Sequence, residues 1–591
     1  MKFPYGISDF RKISIQGYFY CDRTGYIPLI EKGNYLLFLR PRRFGKSLLL
    51  SMLANYYDVA KKDEFNKIFG KFPIGRNPTL LHNSYFILWL DFSWVDPSGT
   101  AHDIKKAFHD HINACIKDFI IYYDKYLDTN IQVDHQNALN SLKSLGSAVR
   151  MTPYPVYLLI DEYDNFANEV MMGVRKKENI YEALVHEEGP LKTFFKSLKS
   201  LTNESLFERI FITGVSPVVM SDITCGFNIA ENIYLEGNFN ELCGFSEKEI
   251  QDAIKMIVEK CQLKETDSTN VLNMMRTYYN GYIFSPEANK QVYNPTLAIY
   301  FLEKFYDSCK YPRKMLDANL AADQAKLRYI AEMPKGNQIL MDIAKDDYSI
   351  VISDLADRFG INQMLSDNSK DMAFILSFLY YFGVLTMGGQ TELGKLILKV
   401  PNLVTQGLYV ERIREMLLPE PMERDDGIWA AEQLYEKGEM SPLCEFIEQR
   451  FFKVFKNRDY RWANELTVKT AFLTLLYNDI LYIMDSEIEV ERSYSDLTMI
   501  IRPDMRKFNV FDILIEFKFV SLKQANLTGK KAKELRLDDL RKISSMRTNM
   551  KDAKKQLAFY GDKLEGKYKD LRLRRYGVVS LGFERLLWEE V

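Results

Sequence analysis

Residues 35–57 read YLLFLRPRRFGKSLLLSMLANYY. The first five are an apolar run of buried-strand type, residues 40–47 are a tight loop, and residues 48–57 continue with helical spacing. Strand, glycine-containing loop, Lys-Ser and helix is the layout of a P-loop, where backbone N–H groups and the positive end of a helix surround phosphates. Lys46 is then the cation for the β- and γ-phosphates, and the Ser47 hydroxyl a ligand of Mg²⁺. Arg40 stands where the motif's first glycine belongs, so only Gly45, Lys46 and Ser47 follow the pattern. Gly-Lys-Ser also caps ordinary helices, and a basic loop whose Arg40, Arg42 and Arg43 merely face solvent reads the same way. The rest of the chain decides.

At 591 residues the chain has room for several domains. A hydrophobic content of 47% with 27% charged residues is that of a soluble globular protein, and a net charge of −2 carries no overall electrostatic signature. No apolar run approaches the ~20 residues of a membrane span. The opening MKFPYGISDF lacks a signal-peptide core, so no membrane partner and a cytoplasmic location are expected. Cysteines at 21, 115, 225, 243, 261, 309 and 444 form no CxxC pair. That pattern argues against a zinc site or a disulfide framework and for a reducing compartment. All histidines lie at or before His186, so chemistry in the last two thirds proceeds without histidine.

Ahead of the P-loop, Asp22 or Thr24 can cap a helix that stops at Gly33, and Tyr18, Phe19 and Tyr20 offer an aromatic wall for an adenine or, equally, core packing. Residues 85–90 (YFILWL) read as a second buried strand, followed by a mostly helical stretch over 101–143. Residues 156–160 are a third apolar strand ending in Asp161-Glu162, the Walker B pattern. Its Asp holds the Mg²⁺ water shell, and its Glu orients or deprotonates the attacking water. The strand at 85–90 falls between these two motifs in the chain, which suggests the subclass with an extra sheet strand between them. Residues 209–213 form a further strand with Thr213 at the position of a γ-phosphate sensor, and 232–235 a last short one. The sum is a doubly wound α/β nucleotide-binding domain.

In chain order, YGISDF, YFYCDRTGYI, LRPRRFGKSLLLSML, LLIDEYDNF, FITGVSPV, LCGFSEKEI, YYNGYIF and VYNPT resemble the AAA-ATPase-like proteins of bacteria, which commonly carry a C-terminal PD-(D/E)XK nuclease-like domain. The likeness covers nearly the whole chain and is most distinctive in its first half. RPRRFGKS is that family's own form of the P-loop. The resemblance therefore implies that ATP is held by Arg40, Pro41, Arg42, Arg43, Phe44, Gly45, Lys46, Ser47 and Leu48, with Thr213 nearby. Mg²⁺ would sit on Ser47 and Asp161, with Glu162 catalytic. No arginine finger can be named, so an oligomer for hydrolysis stays open.

Downstream, Ser246 with Glu249 is a helix-start signature opening a lid. Residues 278–284 and 293–295 are turn-rich markers with no assignable chemistry. A helix over 372–384 followed by two short strands around a Gly-Gly turn fits a winged helix, more readily a spacer than a DNA reader.

The last 150 residues carry a second constellation. A helix begins at Glu465, paired strands are expected over 483–491 and 496–501 around Ser493, Tyr494 and Ser495, and a strand over 509–519 carries Glu516 and Lys518 on one face. A helix with Gln556 and Tyr560 and a strand over 576–581 follow. This α-β-β-β-α-β order with Asp…Glu-x-Lys is similar to the PD-(D/E)XK nuclease core. Asp496 and Glu516 would hold Mg²⁺, or Mn²⁺, and Lys518 would stabilise developing charge. Glu465 and Gln556 resemble the accessory acid and glutamine of such folds. A surface ion pair of Glu516 with Lys518 is the plain alternative, set against the cost of charge on an apolar strand. Residues 521–591 hold 18 Lys/Arg against 10 Asp/Glu, and KKAK (530–533) and RLRR (572–575) could meet phosphate backbones.

The expected organisation is an ATPase core over 1–240, a helical lid over 241–310, a helical or winged-helix connector over 311–440 and a nuclease-like domain over 441–591. The expected function is ATP hydrolysis coupled to metal-dependent phosphodiester cleavage, with nucleic acid (DNA ahead of RNA) as partner and defence against phage or mobile elements as one purpose. An ATP-regulated nucleic-acid-binding protein with an inactive nuclease fold is the alternative.

Overall fold

The computed structural model describes residues 1–96, 98–127, 131–165, 190–204, 206–217, 229–316, 327–331, 333, 336–345, 349–356, 372–453, 465–485, 496–568 and 570–591. They form two compact units, each discontinuous in sequence: residues 1–309 with 351–401, and residues 310–350 with 402–591. The segment expected as a separate connector over 311–440 thus contributes residues 351–401 to the first unit and its remainder to the second.

The first unit is built on a parallel sheet. Its strands are β1 (Tyr35–Leu39), β2 (Phe86–Asp91), β3 (Val156–Asp161), β4 (Phe207–Gly214) and β5 (Glu231–Asn232), in the spatial order β2-β3-β4-β1-β5. Every residue of β3 is buried, which is why it reads as an unbroken apolar run and not an alternation. A strand does lie between the P-loop strand and the acidic strand, but it is β4; β2 sits at the sheet edge. Chain order alone could not show this, because parallel crossovers separate neighbours in sequence from neighbours in space. The helix α1 (Lys46–Tyr57) leaves the loop after β1 and buries Leu49, Leu50, Met52, Leu53, Tyr56 and Tyr57. The stretch expected to be helical over 101–143 is two helices, Ala101–Tyr122 and Ala138–Val149.

The segment expected as a lid begins with α2 (Glu247–Lys260), whose capping box of Ser246 and Glu249 is formed as expected. Helix α3 (Pro295–Ser308) is capped by Asn294. Cys261 and Cys309, which follow these two helices directly, are joined in a disulfide, against the expectation that the cysteines form none. The pair is 48 residues apart, so spacing motifs carry no trace of it. Helix α4 (Met372–Tyr381) leads into a hairpin of β6 (Thr386–Gln390) and β7 (Leu396–Lys399). Its turn is not the Gly-Gly pair: Gly388 and Gly389 lie inside β6, at a register irregularity, with Gly389 at φ 122°.

The second unit holds a mixed sheet. It comprises β8 (Tyr482–Asp485), β9 (Leu497–Ile501), β10 (Asp512–Val520), β11 (Leu573–Leu581) and β12 (Arg585–Glu590), adjacent in the order β12-β11-β10-β9-β8. Only the β10–β11 pair is parallel. Helices α5 (Glu465–Leu476) and α6 (Ser544–Lys567) pack on β10, and α6 is the crossover that parallel pairing with β11 requires. Gly577, opposite Glu516 in register, lets α6 approach; a β-carbon there would lie 2.9 Å from Met550 Sδ. Strand β12 was not foreseen in the sequence. The expected turn at Ser493, Tyr494 and Ser495, and most of the strand expected over 483–491, lie outside the described residues.

Candidate functional sites

Gly45, at φ 89°, turns the chain from loop to helix and begins a cavity of about 310 Å³. Its floor is Arg43, Phe44, Gly45, Lys46, Ser47 and Leu48, with Glu162 also on the wall. Lys46 is buried at 4% exposure, with Nζ donating to the carbonyls of Arg40 (3.1 Å) and Pro41 (3.3 Å) and lying 3.6 Å from Glu162 Oε1. Behind it, Asp161 accepts from the Thr213 hydroxyl at 2.6 Å. Burial raises the Asp161 pKa, against the pull of Ser47, Thr213 and Lys46 toward the charged form. Glu162 adopts φ 49°, a conformation unfavourable for a non-glycine residue and one that marks functional turns. The turn is held from below by Asp164, fully buried, which accepts from the backbone N–H groups of Val215 (3.0 Å) and Ser216 (2.8 Å).

The loop's arginines divide. Arg40 contributes its carbonyl to Lys46, but its guanidinium turns inward, with 2% exposure, and donates to the carbonyls of Leu39, Tyr234 and Phe239, each at 2.8 Å. It lies 4.5 Å from the Phe38 ring centroid and 4.2 Å from that of Phe284, and burial lowers its pKa to about 10. Arg42 donates to Asn165 Oδ1 at 2.6 Å. Thr213, expected as a phosphate sensor, is fully buried with its hydroxyl given to Asp161. Arg40→Gly, which restores the common P-loop glycine, is therefore expected to destabilise the fold by on the order of 2–4 kcal/mol, since it empties a buried volume and orphans two distant carbonyls. Urea unfolding of the variant measures this.

The cavity's other walls were illegible in the sequence. Pro4, Tyr5, Gly6, Ile7 and Ser8 line it, as do Leu242, Cys243, Gly244 and Phe245 of the expected lid and Pro295, Thr296 and Ile299 at the start of α3. Of the expected aromatic wall, Phe19 and Tyr20 line the cavity and Tyr18 does not. The turn-rich markers prove to be buttresses. Tyr282 and Phe284 pack edge-on to Phe44 at 5.0 and 5.1 Å, and the Thr296 hydroxyl donates to the Arg43 carbonyl at 2.9 Å. Arg23 ties the N-terminal segment to the expected lid through a two-pronged pair with Glu249 (2.6 and 2.8 Å).

Residues 4–224 match the family model described as Predicted AAA-ATPase. Over this stretch the chain is similar to that family. An uncharacterized protein from the vnfD 5′ region of Azotobacter chroococcum mcd 1 is 25% identical over 308 residues, 50% of each chain, so this chain spans about half the length of that relative. Among solved structures, the Walker-type ATPase PABY2304 of Pyrococcus abyssi covers 66% of this chain and 95% of its own at 11% identity, with a TM-score of 0.39. Cdc6p of Pyrobaculum aerophilum covers 69% and 94% at 11% identity, with a TM-score of 0.24. Such low scores add nothing to the assignment.

In the second unit, four residues singled out in the sequence, Asp496, Glu516, Lys518 and Glu465, come together. Asp496, just before β9, accepts from the Phe517 backbone N–H at 2.7 Å. Glu516, 3% exposed in mid-β10, takes the Lys518 ammonium on Oε1 at 2.8 Å, and Lys518 lies 3.9 Å from Glu465 Oε1. Glu516 Oε2 and, on α6, Gln556 Oε1 are buried without a hydrogen-bond partner among the described residues. Burial, then the Asp496 charge, pushes Glu516 up to about 7. Burial also raises Glu465. Lys518 is disfavoured as a cation by burial, yet its hydrogen bond to Glu516 raises its pKa overall. The RLRR arginines, by contrast, are satisfied within the chain. Arg572 donates to the carbonyls of Arg506 and Phe508, Arg574 pairs with Glu590 at 2.6 Å and Arg575 with Glu565 at 2.6 Å. Lys530, Lys531 and Lys533 are exposed.

A carboxyl raised in the folded state binds a proton that the unfolded chain has already released. Stability should therefore fall as pH rises from about 4.5 to about 7, by on the order of 1–3 kcal/mol. Asp496→Asn removes the repelling charge but not the burial, and should make that slope shallower without abolishing it, read by thermal unfolding in chelator across the same range.

Proposed function

We propose that the chain is a nucleotide-hydrolysing protein whose second unit cleaves phosphodiester bonds with a divalent metal. The observation that carries the second half is the convergence of Asp496, Glu516, Lys518 and Glu465, together with buried oxygens of Glu516 and Gln556 that have no hydrogen-bond partner among the described residues. Among the described residues no group of three or more His, Cys, Asp or Glu forms a metal cluster. Asp496 and Glu516 are an oxygen-only pair, however, and suit a hard cation that keeps several of its waters: Mg²⁺, with Mn²⁺ as the substitute. Bound there, such an ion polarises a phosphoryl oxygen and lowers the pKa of its water. Lys518, held cationic beside the carboxylates, neutralises charge that builds on the phosphate, and Glu465 orients Lys518.

In the first unit Lys46 and the loop amides hold the polyphosphate, Ser47 and Asp161 are the residues for Mg²⁺, and Glu162 takes the proton of the attacking water. DNA is favoured over RNA as the substrate. No helix among the described residues is long and apolar enough to cross a membrane. The test is cleavage of a panel of single- and double-stranded DNA and RNA with Mg²⁺ or Mn²⁺, with and without ATP. Binding without cutting under every condition would favour a nucleic-acid-binding protein with a silent nuclease fold. Survival of phage-challenged cells carrying the wild-type chain or Lys518→Ala reads out a defensive role.

A further inference from the structure

Arg43 presents two unfavourable features at one residue. Its backbone is left-handed, at φ 70°, where glycine would be unstrained. Its guanidinium Nη1 is buried and meets no acceptor among the described residues, which leaves the desolvation of a cationic donor uncompensated. Of the neighbouring arginines, Arg40 also has one buried nitrogen, Nε, without an acceptor, but its other two nitrogens donate to three carbonyls, and Arg42 donates to Asn165. The peptide of Arg43 is also fixed, by the Thr296 hydroxyl on its carbonyl and by Phe44 packed edge-on against Tyr282 and Phe284. Arg43 lines the same cavity as Gly45, Lys46, Ser47 and Glu162. A left-handed, anchored loop position on the cavity wall, whose half-buried guanidinium keeps one buried nitrogen without an acceptor, is what an anionic ligand would complete.

We propose that Arg43 is a second polyphosphate-binding cation, supplied from within the loop, whose guanidinium donates to a phosphate oxygen when nucleotide fills the cavity. The inference rests on the nucleotide reading of that cavity. It adds a charge-assisted contact that Lys46 alone does not make, and it places the extra cation in the same chain as the loop.

The deciding substitution is Arg43→Gly, because glycine accepts the left-handed backbone while the whole side chain, guanidinium included, is removed. Nucleotide-free Arg43→Gly should melt at or above the wild-type temperature, yet bind ATP at least about tenfold more weakly in calorimetric titration. Arg43→Lys should recover part of that loss. An equal loss of ADP affinity locates the contact on the α- or β-phosphate, and unchanged ADP affinity locates it on the γ-phosphate; either supports the assignment. Wild-type affinity for ATP and ADP in Arg43→Gly would overturn it. So would a lower melting temperature in the nucleotide-free variant, which would make the arginine structural. Lys46→Ala separates the two readings: if it binds ATP normally, the cavity is not a nucleotide site. If it loses ATP while Arg43→Gly does not, only the role of Arg43 fails.

Discussion

Glu162→Gln is expected to bind ATP as tightly as the wild type, or more tightly, and to lose turnover by ~10²-fold or more, the scale of a general-base contribution. The geometry gives the reason for both halves. Lys46 Nζ lies 3.6 Å from Glu162 Oε1, so the carboxylate serves as counter-charge to the buried lysine. An incoming polyphosphate replaces it in that role and leaves Glu162 on the cavity wall, able to accept a proton. Glutamine keeps the shape and the strained φ of 49° but can neither repel the phosphates nor act as base. Lys46→Ala is the opposite case and should abolish ATP binding with the fold intact. Titration with ATP beside steady-state phosphate release distinguishes them. Normal hydrolysis by Glu162→Gln would reduce Glu162 to a structural residue.

In the second unit, Asp496→Ala and Glu516→Ala should each remove cleavage and weaken divalent-ion binding. Lys518→Ala should retain the ion and still lose cleavage by ~10²–10³-fold, since it contributes charge to the transition state and not a ligand. The double substitution Asp496→Ala/Glu516→Ala should be no worse than either single one, as groups acting as one unit are strongly non-additive. Isothermal titration with Mn²⁺ beside a cleavage assay separates these outcomes, and ATP binding should be unchanged in all of them. Undiminished cleavage by Lys518→Ala would make its contact with Glu516 a structural pair.

Both constellations were legible in the sequence because each rests on local pattern: an apolar strand broken by a charged, glycine-bearing loop, and a strand whose period of two puts Glu516 and Lys518 on one face. What was illegible is what tertiary packing decides. Nothing in RPRRFGKS distinguishes the inward Arg40 from Arg43, because the difference lies in carbonyls at Tyr234 and Phe239, some two hundred residues away. The cavity walls at residues 4–8 and 242–245 are ordinary loop sequence until the fold brings them to the P-loop. Strand β12 is short, charged at its end (RLLWEE) and paired only along β11, so its period is too brief to read. The arginines of RLRR looked like a phosphate surface because their partners, Glu590 and Glu565, are matched to them by a hairpin and a crossover.

The chain passes between its two compact units three times, at 309/310, 350/351 and 401/402. During synthesis the first unit therefore cannot close when residue 309 emerges. Gly383, which lies against Pro41 of the loop, and Thr386, which bonds the backbone of Ile283, are still to come. At 5–20 residues per second, the 92 residues from 309 to 401 take roughly 5–20 s. For that interval the nascent nucleotide-binding fold stands incomplete, without the Gly383 turn against Pro41 and the Thr386 bonds to Ile283, a defined window in which a chaperone or a slowed ribosome would govern the yield of folded protein.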